Sequence, residues 1–309
     1  MRKRRPGWSR ICEEMCLAGA GGVGLGGYMK PSKRWLGAWV AGLMVVAGIS
    51  SVSAELPTMQ EKEWLGNFVG FANKKYQFGL TAQGKAAIRL TGKDDGMTSR
   101  KLAIPVDFMV EEISPDGKVT VKSVQPESLE SAQPATNKPQ DVTIKGKVTG
   151  GATFEMYIDE DRGVMAFGGR LLDPGTLKNP LRFSIRVRIP DVYADSNKGV
   201  DKKEQKAFEE KAKSDRVQLS WTDGKRVKQD ADKVVDANSK ELNGPGIAAA
   251  QITLSPYLGK KLEFVSSANS SMNLGGEKAA PLHGGFSLVW IADQAKDPDG
   301  KARLTFEVK

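Results

Sequence analysis

Arg182, Arg186 and Arg188 form the most distinctive polar pattern in the chain. They alternate with Leu181, Phe183, Ile185, Val187 and Ile189, so an extended backbone puts all three on one face, with Ser184 between. Guanidinium groups present forked donors that fit carboxylates and phosphates, so this row is a candidate anion-binding face for phosphate, lipid head groups or acidic glycans. The competing reading is structural. Opposite charges facing one another across a sheet stabilise it by roughly 0.2–1 kcal/mol per pair. Glu155, Tyr157 and Asp159 form the polar side of another alternating run and are the expected partners.

Other chemistry has less to work with. His283 is the only histidine, so a His-dependent triad must use it, and no Gly-x-Ser-x-Gly elbow accompanies it. One His and two Cys exclude a zinc-protease helix, a cysteine-rich zinc site and a disulfide framework. Glu111-Glu112 and Asp159-Glu160-Asp161 are the densest acid clusters, but a glycosidase pair is a spatial relation that spacing does not reveal. Asp195-x-Asn197-x-Gly199-x-Asp201 partly matches a calcium loop. Val200 stands at the glycine position and Lys206 at the closing acid, which opposes a cation. Gly22-x-Gly24-x-x-Gly27 fits a dinucleotide fingerprint, yet no strand precedes it, and no Gly-Lys pair continues as a phosphate loop. The expectation is no catalytic residue, no cofactor and no metal.

The elements carrying these residues read as strands. Period-two alternation recurs at Tyr76–Leu80, Ala86–Leu90, Ile104–Val110, Phe154–Ile158 and Leu181–Ile189, and again at Val217–Trp221, Phe286–Trp290 and Leu304–Val308. Such alternation marks antiparallel sheets with one buried and one wetter face. Asp116-Gly117, Asp223-Gly224 and Asp299-Gly300 are turn signals, the last predicting a hairpin between 286–291 and 304–308. The stretch 123–140 reads as a long loop or a broken edge, and 266–283 as a loop. Two helices are predicted. One is short and N-terminal, from Thr58 to Ala72, with a Thr58/Glu61 capping box and Trp64, Leu65, Phe68 and Phe71 on one side. The other is polar, on the surface, from Asp201 to Ser214. The fold class is therefore all-β, an antiparallel sandwich or an elongated curved sheet with these two helices.

The N-terminus sets the expected destination. Met29, Lys30, Lys33 and Arg34, the apolar run from Trp35 to Ile49, and the small residues ending at Ala54 have the three-part order of a secretory signal peptide. The apolar run is roughly 15 residues, short of the ~20 needed to span a bilayer. Residues 1–28 read as an over-extended start, 29–54 as the signal peptide, 55–199 and 216–309 as β regions, and 200–215 as a polar helix or linker. The first 54 residues hold eight Lys or Arg and two Asp or Glu, so the remainder carries 38 basic and 35 acidic groups against 46 and 37 overall. The basicity that suggests nucleic acid belongs largely to the leader. The mature part lacks cysteine, which suits an oxidising compartment. The expected protein is a periplasmic or extracellular, non-enzymatic binding or structural module of the bacterial envelope. Its partner is an envelope component, glycan or lipid, with no nucleic acid and no membrane span. The alternatives are a carrier of lipid or another apolar ligand, and a carbohydrate-binding or carbohydrate-active domain.

Overall fold

The computed structural model describes residues 56–92, 96–194, 202–244 and 246–309. The leader and the calcium-like stretch 195–201 lie outside the described residues. In chain order the strands begin with β1 (Asn67–Ala72), β2 (Tyr76–Thr81), β3 (Ala86–Leu90), β4 (Ile104–Ile113), β5 (Val119–Lys122) and β6 (Val124–Glu130). Next come β7 (Val142–Val148), β8 (Thr153–Asp161), β9 (Val164–Asp173) and β10 (Leu181–Ile189), followed by the helix α1 (Lys202–Ala212). The remainder are β11 (Arg216–Trp221), β12 (Arg226–Asp230), β13 (Val234–Val235), β14 (Ile247–Thr253), β15 (Lys261–Ser266), β16 (Ser270–Gly275), β17 (Ala280–Pro281), β18 (Phe286–Ala292) and β19 (Leu304–Val308).

They make two large antiparallel sheets and one small one. The first runs β1-β2-β3-β4-β10-β18-β16, with β5 also on β4; the second runs β12-β11-β14-β15-β19-β9-β8-β7-β6; β13 pairs with β17. Both large sheets draw strands from either side of α1, and the described residues form one compact unit. The inward faces meet through aromatic rings. Tyr76 lies on Phe306 at 5.0 Å, Phe78 on Phe167 at 5.2 Å, and Phe154 on Phe183 at 6.2 Å, each pair joining the first sheet to the second. This is a β-sandwich, and its core is the alternating apolar set read from the sequence. One side is closed by main chain: Thr136, in the loop leaving β6, exchanges 2.9 Å hydrogen bonds with Phe68 and Gly70 of the edge strand β1.

Three expectations are corrected. The N-terminal helix is absent. Residues 61–66 form turns, Gly66 takes φ +82°, and the chain enters β1 at Asn67. The helical spacing of Trp64 and Phe68 has another cause: the Trp64 indole folds back over Gly70, where an added Cβ would lie 2.3 Å from the ring. The Asp299-Gly300 turn does not make a hairpin, because β18 pairs with β10 and β16 while β19 pairs with β15 and β9. The connection crosses between sheets, held by the Asp297 carboxylate accepting from the Lys301 and Ala302 N–H groups at 2.8 and 2.7 Å. The stretch 266–283 contains strand β16 and is no plain loop, whereas 123–140 is the broken edge, with β6 at the end of its sheet and its register interrupted between Gln125 and Glu130. Among the described residues α1 is the only α-helix, and no helix is long and apolar enough to cross a membrane.

Candidate functional site

Strand β10 carries the arginine row as expected, but the acids opposite come from β4. Register places Arg182 against Glu111 and Arg186 against Asp107. Arg182 Nε donates to Glu111 at 2.6 Å, and Glu111 is almost fully buried. Asp107 serves two partners, Arg186 at 3.2 Å and Arg188 at 2.9 Å. Glu155, the partner the sequence suggested, lies in the other sheet, where it accepts from Arg170 Nε at 2.6 Å and from the Tyr157 hydroxyl. Sequence spacing identified the faces correctly; it could not say which acidic strand lies beside which basic one.

Two prolines create an opening at the Arg188 end. The β4–β10 ladder runs to Val187 opposite Val106, so the next pair would be Arg188 and Pro105. Proline has no N–H to give, and the ladder stops there. Pro190 ends β10 two residues later. The separated strand ends form one side of a cleft of about 600 Å³, within the range of small-molecule sites. Arg188 and Pro105 line it together with Arg100 and Lys101 of the 3-10 turn Arg100–Leu102, and with Glu277 from the connection after β16. The Ser99 hydroxyl caps that turn by accepting from the Lys101 N–H at 3.3 Å. Arg100 and Lys101 are exposed, and the Arg188 side chain is half exposed. The lining charges are thus the Arg100 and Arg188 guanidinium groups, the Lys101 ammonium, which has a partner of its own, and the Glu277 carboxylate; on the sheet Asp107 is shared between two arginines. Burial first, then the neighbouring Arg100 charge, holds the Arg89 guanidinium below its usual range.

The other candidate groups are tied into the frame. Glu112 pairs with Lys122 and accepts from Asn179 at 2.9 Å. Its carboxyl sits below the ordinary range, mainly through the Lys122 hydrogen bond. Glu160 accepts from the Gly163 N–H at 2.6 Å in the β8–β9 turn, where Arg162 and Gly163 take positive φ. The Asp161–Arg162 pair at its tip is exposed to solvent. Trp64, Trp221 and Trp290 are buried, so none offers a stacking platform.

His283 sits in the short turn before β18, beside a buried acid network that sequence reasoning missed. Asp215 accepts from Tyr193 Oη, Ser255 N and Ser255 Oγ, all at 2.7 Å. Burial first, then the Asp215 hydrogen bond, pushes the Tyr193 phenol far above its ordinary range. His283 meets the Tyr193 ring edge-on at 5.1 Å, and its Nδ1 is buried without a hydrogen-bond partner. The Ser255 hydroxyl donates to a carboxylate that already accepts two other hydrogen bonds and lies 3.1 Å from the Lys211 carbonyl, so the group ties the Ser255 turn to the end of α1. No residue flagged this in the sequence, because its members are 22 and 40 positions apart.

Among the described residues no cluster of three or more acidic, His or Cys groups is arranged to hold a metal ion. No protein-family model matches this chain, and no curated protein matches its sequence.

Proposed function

We propose that the chain is an exported, non-enzymatic binding module of the bacterial envelope, periplasmic or extracellular, which holds its ligand in the basic cleft at the Arg188 end of β10. One observation carries this reading. The acids dense enough to suggest catalysis are each paired or solvent-exposed, while Asp107 is divided between two arginines and leaves positive charge at the rim of an open concavity. Surplus charge facing solvent at a cleft suits capture of an anion.

The carrier alternative has less support. An apolar ligand between the sheets would have to displace rings already in contact, such as Phe78 on Phe167 and Phe108 on Phe167. The carbohydrate alternative stays compatible with the cleft, though not through the buried tryptophans.

Mass spectrometry of the native protein from cell fractions tests the proposal. The expected result is a chain beginning at Glu55 outside the cytoplasm, carrying or able to retain a small anionic molecule. Full-length chain confined to the cytosol, or turnover of any retained molecule, overturns it.

A further inference from the structure

We infer that the cleft takes the acidic sugar of a glycan chain, a uronate, with Arg100 and Arg188 on its carboxylate. This deepens the binding-module reading and rests on it. The lining is two-natured. Arg100 supplies a forked donor suited to a planar carboxylate, and Arg188, whose Nε and Nη2 face Asp107 at 2.9 and 3.4 Å, adds its remaining N–H groups. Beside them the walls are apolar, made of Ala103, Pro105, Ile189, Pro190 and Ala280. At the rim Glu277 is an exposed acceptor and Ser287 carries a hydroxyl.

Each feature favours a sugar acid over a simpler anion. A free phosphate would use the guanidinium groups and leave the proline walls idle. An anionic lipid would need an apolar space running inward for its acyl chains, and the interior behind Phe286 is packed core, with Phe286 itself buried. A pyranose uses everything present. Its C–H faces lie on apolar walls, its hydroxyls donate to Glu277 and exchange hydrogen bonds with Ser287, and its carboxylate meets the arginines. Pro105 contributes twice, by ending the ladder and by offering a flat wall. The site needs no movement of the sheets, because Arg188 lines the cleft while its Nε stays on Asp107 at 2.9 Å.

The test is calorimetric titration of the purified chain with trigalacturonate, its methyl ester, inorganic phosphate and phosphatidylglycerol vesicles, at low salt. Saturable binding of trigalacturonate is expected, at least tenfold weaker for the ester and weaker again as salt rises. Arg100→Gln and Arg188→Gln should each weaken it tenfold or more. Lys145→Gln, an exposed charge on the other sheet, should leave it unchanged. Arg100 makes no part of a ladder, so its variant tests the site even if Arg188→Gln fails to fold. Equal binding of acid and ester, equal loss in Lys145→Gln, or no binding of trigalacturonate overturns the inference. Binding of phosphate or vesicles in its place also overturns the uronate assignment, yet leaves the binding-module reading standing. That reading falls separately, on the location and turnover measurements.

Discussion

Replacing Asp215 by alanine tests whether the buried acid beside His283 is an anchor. The carboxylate is 1% exposed and accepts three hydrogen bonds. Their losses are unequal. Ser255 Oγ has alternatives within reach, the Lys211 carbonyl at 3.1 Å and Ser214 Oγ at 3.1 Å, and re-pairs. The Tyr193 hydroxyl loses its acceptor while buried, and the part-buried Ser255 N–H loses its acceptor too. A buried donor left without a partner costs roughly 1–3 kcal/mol and a part-buried one less, so the two cost about 1–4 kcal/mol. At the 2–4 °C per kcal/mol typical of domains this size, Tm falls by roughly 2–15 °C. Urea denaturation reads the free energy and a thermal melt reads Tm. The sharper measurement is the double variant. Tyr193→Phe alone removes one charge-assisted hydrogen bond and costs roughly 1.5–3 kcal/mol. Added to Asp215→Ala it removes the orphaned hydroxyl, so the double variant should be more stable than Asp215→Ala. If Asp215→Ala costs less than about 1 kcal/mol, or if Tyr193→Phe lowers the stability of that background further, the anchoring argument is wrong.

Three further outcomes follow from the same geometry. Gly169→Ala should be severely destabilised, by at least about 3 kcal/mol, because its Cβ would lie 2.3 Å from the Phe183 ring and 2.6 Å from the Glu155 carbonyl oxygen. Gly117→Ala, with open space around it and φ +79°, should lose only about 1–2 kcal/mol; urea midpoints compare the two. Arg182→Met strands the buried Glu111 carboxylate and should cost roughly 1–3 kcal/mol, whereas Arg188→Gln leaves Asp107 its Arg186 partner and should change stability by about 0.5 kcal/mol or less. Stability should fall as pH rises above about 10. Burial, then the hydrogen bond to Glu155, pushes the Tyr157 phenol up to about 12, so the folded state keeps a proton that the unfolded chain releases. The stabilisation is complete below pH 10 and is lost by about pH 12; a series of melts in Tyr157→Phe should show a shallower decline.

The strands were legible where side chains alternate between core and water, as in β10 and β18. They were illegible where an element departs from that rule for a packing reason. β9 carries Gly168-Gly169, which breaks the apolar rhythm because Phe183 occupies the space a side chain at 169 would need. β16 is built from Ser270, Ser271 and Asn273 with only Met272 and Leu274 facing the core, so its composition looks like a loop. β1 is buried on both faces through Phe68 and Val69, and the spacing of its aromatics with Trp64 mimics a helix. The partner acids were also hidden. A strand's own sequence says which face its charges occupy, and only the strand order says which charges they meet. Asp107 and Glu111 were plain in the β4 alternation, yet nothing local tied them to residues more than 70 positions onward.

That same distinction explains why charge is left over at the cleft. Along β10 the acid opposite each arginine is supplied by β4: Glu111 for Arg182 and Asp107 for Arg186. Continuing the register, the residue that would supply a partner for Arg188 is number 105, and it is proline. A carboxylate there would have neutralised the third arginine and left a β4 N–H to extend the ladder, closing the sheet. Proline does neither. It removes the donor, ends the ladder and leaves Arg188 to share Asp107 diagonally at 2.9 Å. The opening and the surplus charge therefore have one cause. Pro105→Asp should act on both together, drawing Arg188 onto the new carboxylate and abolishing anion binding without disturbing the Arg182–Glu111 pair. Unchanged anion affinity in a folded Pro105→Asp chain would show that the two properties are independent.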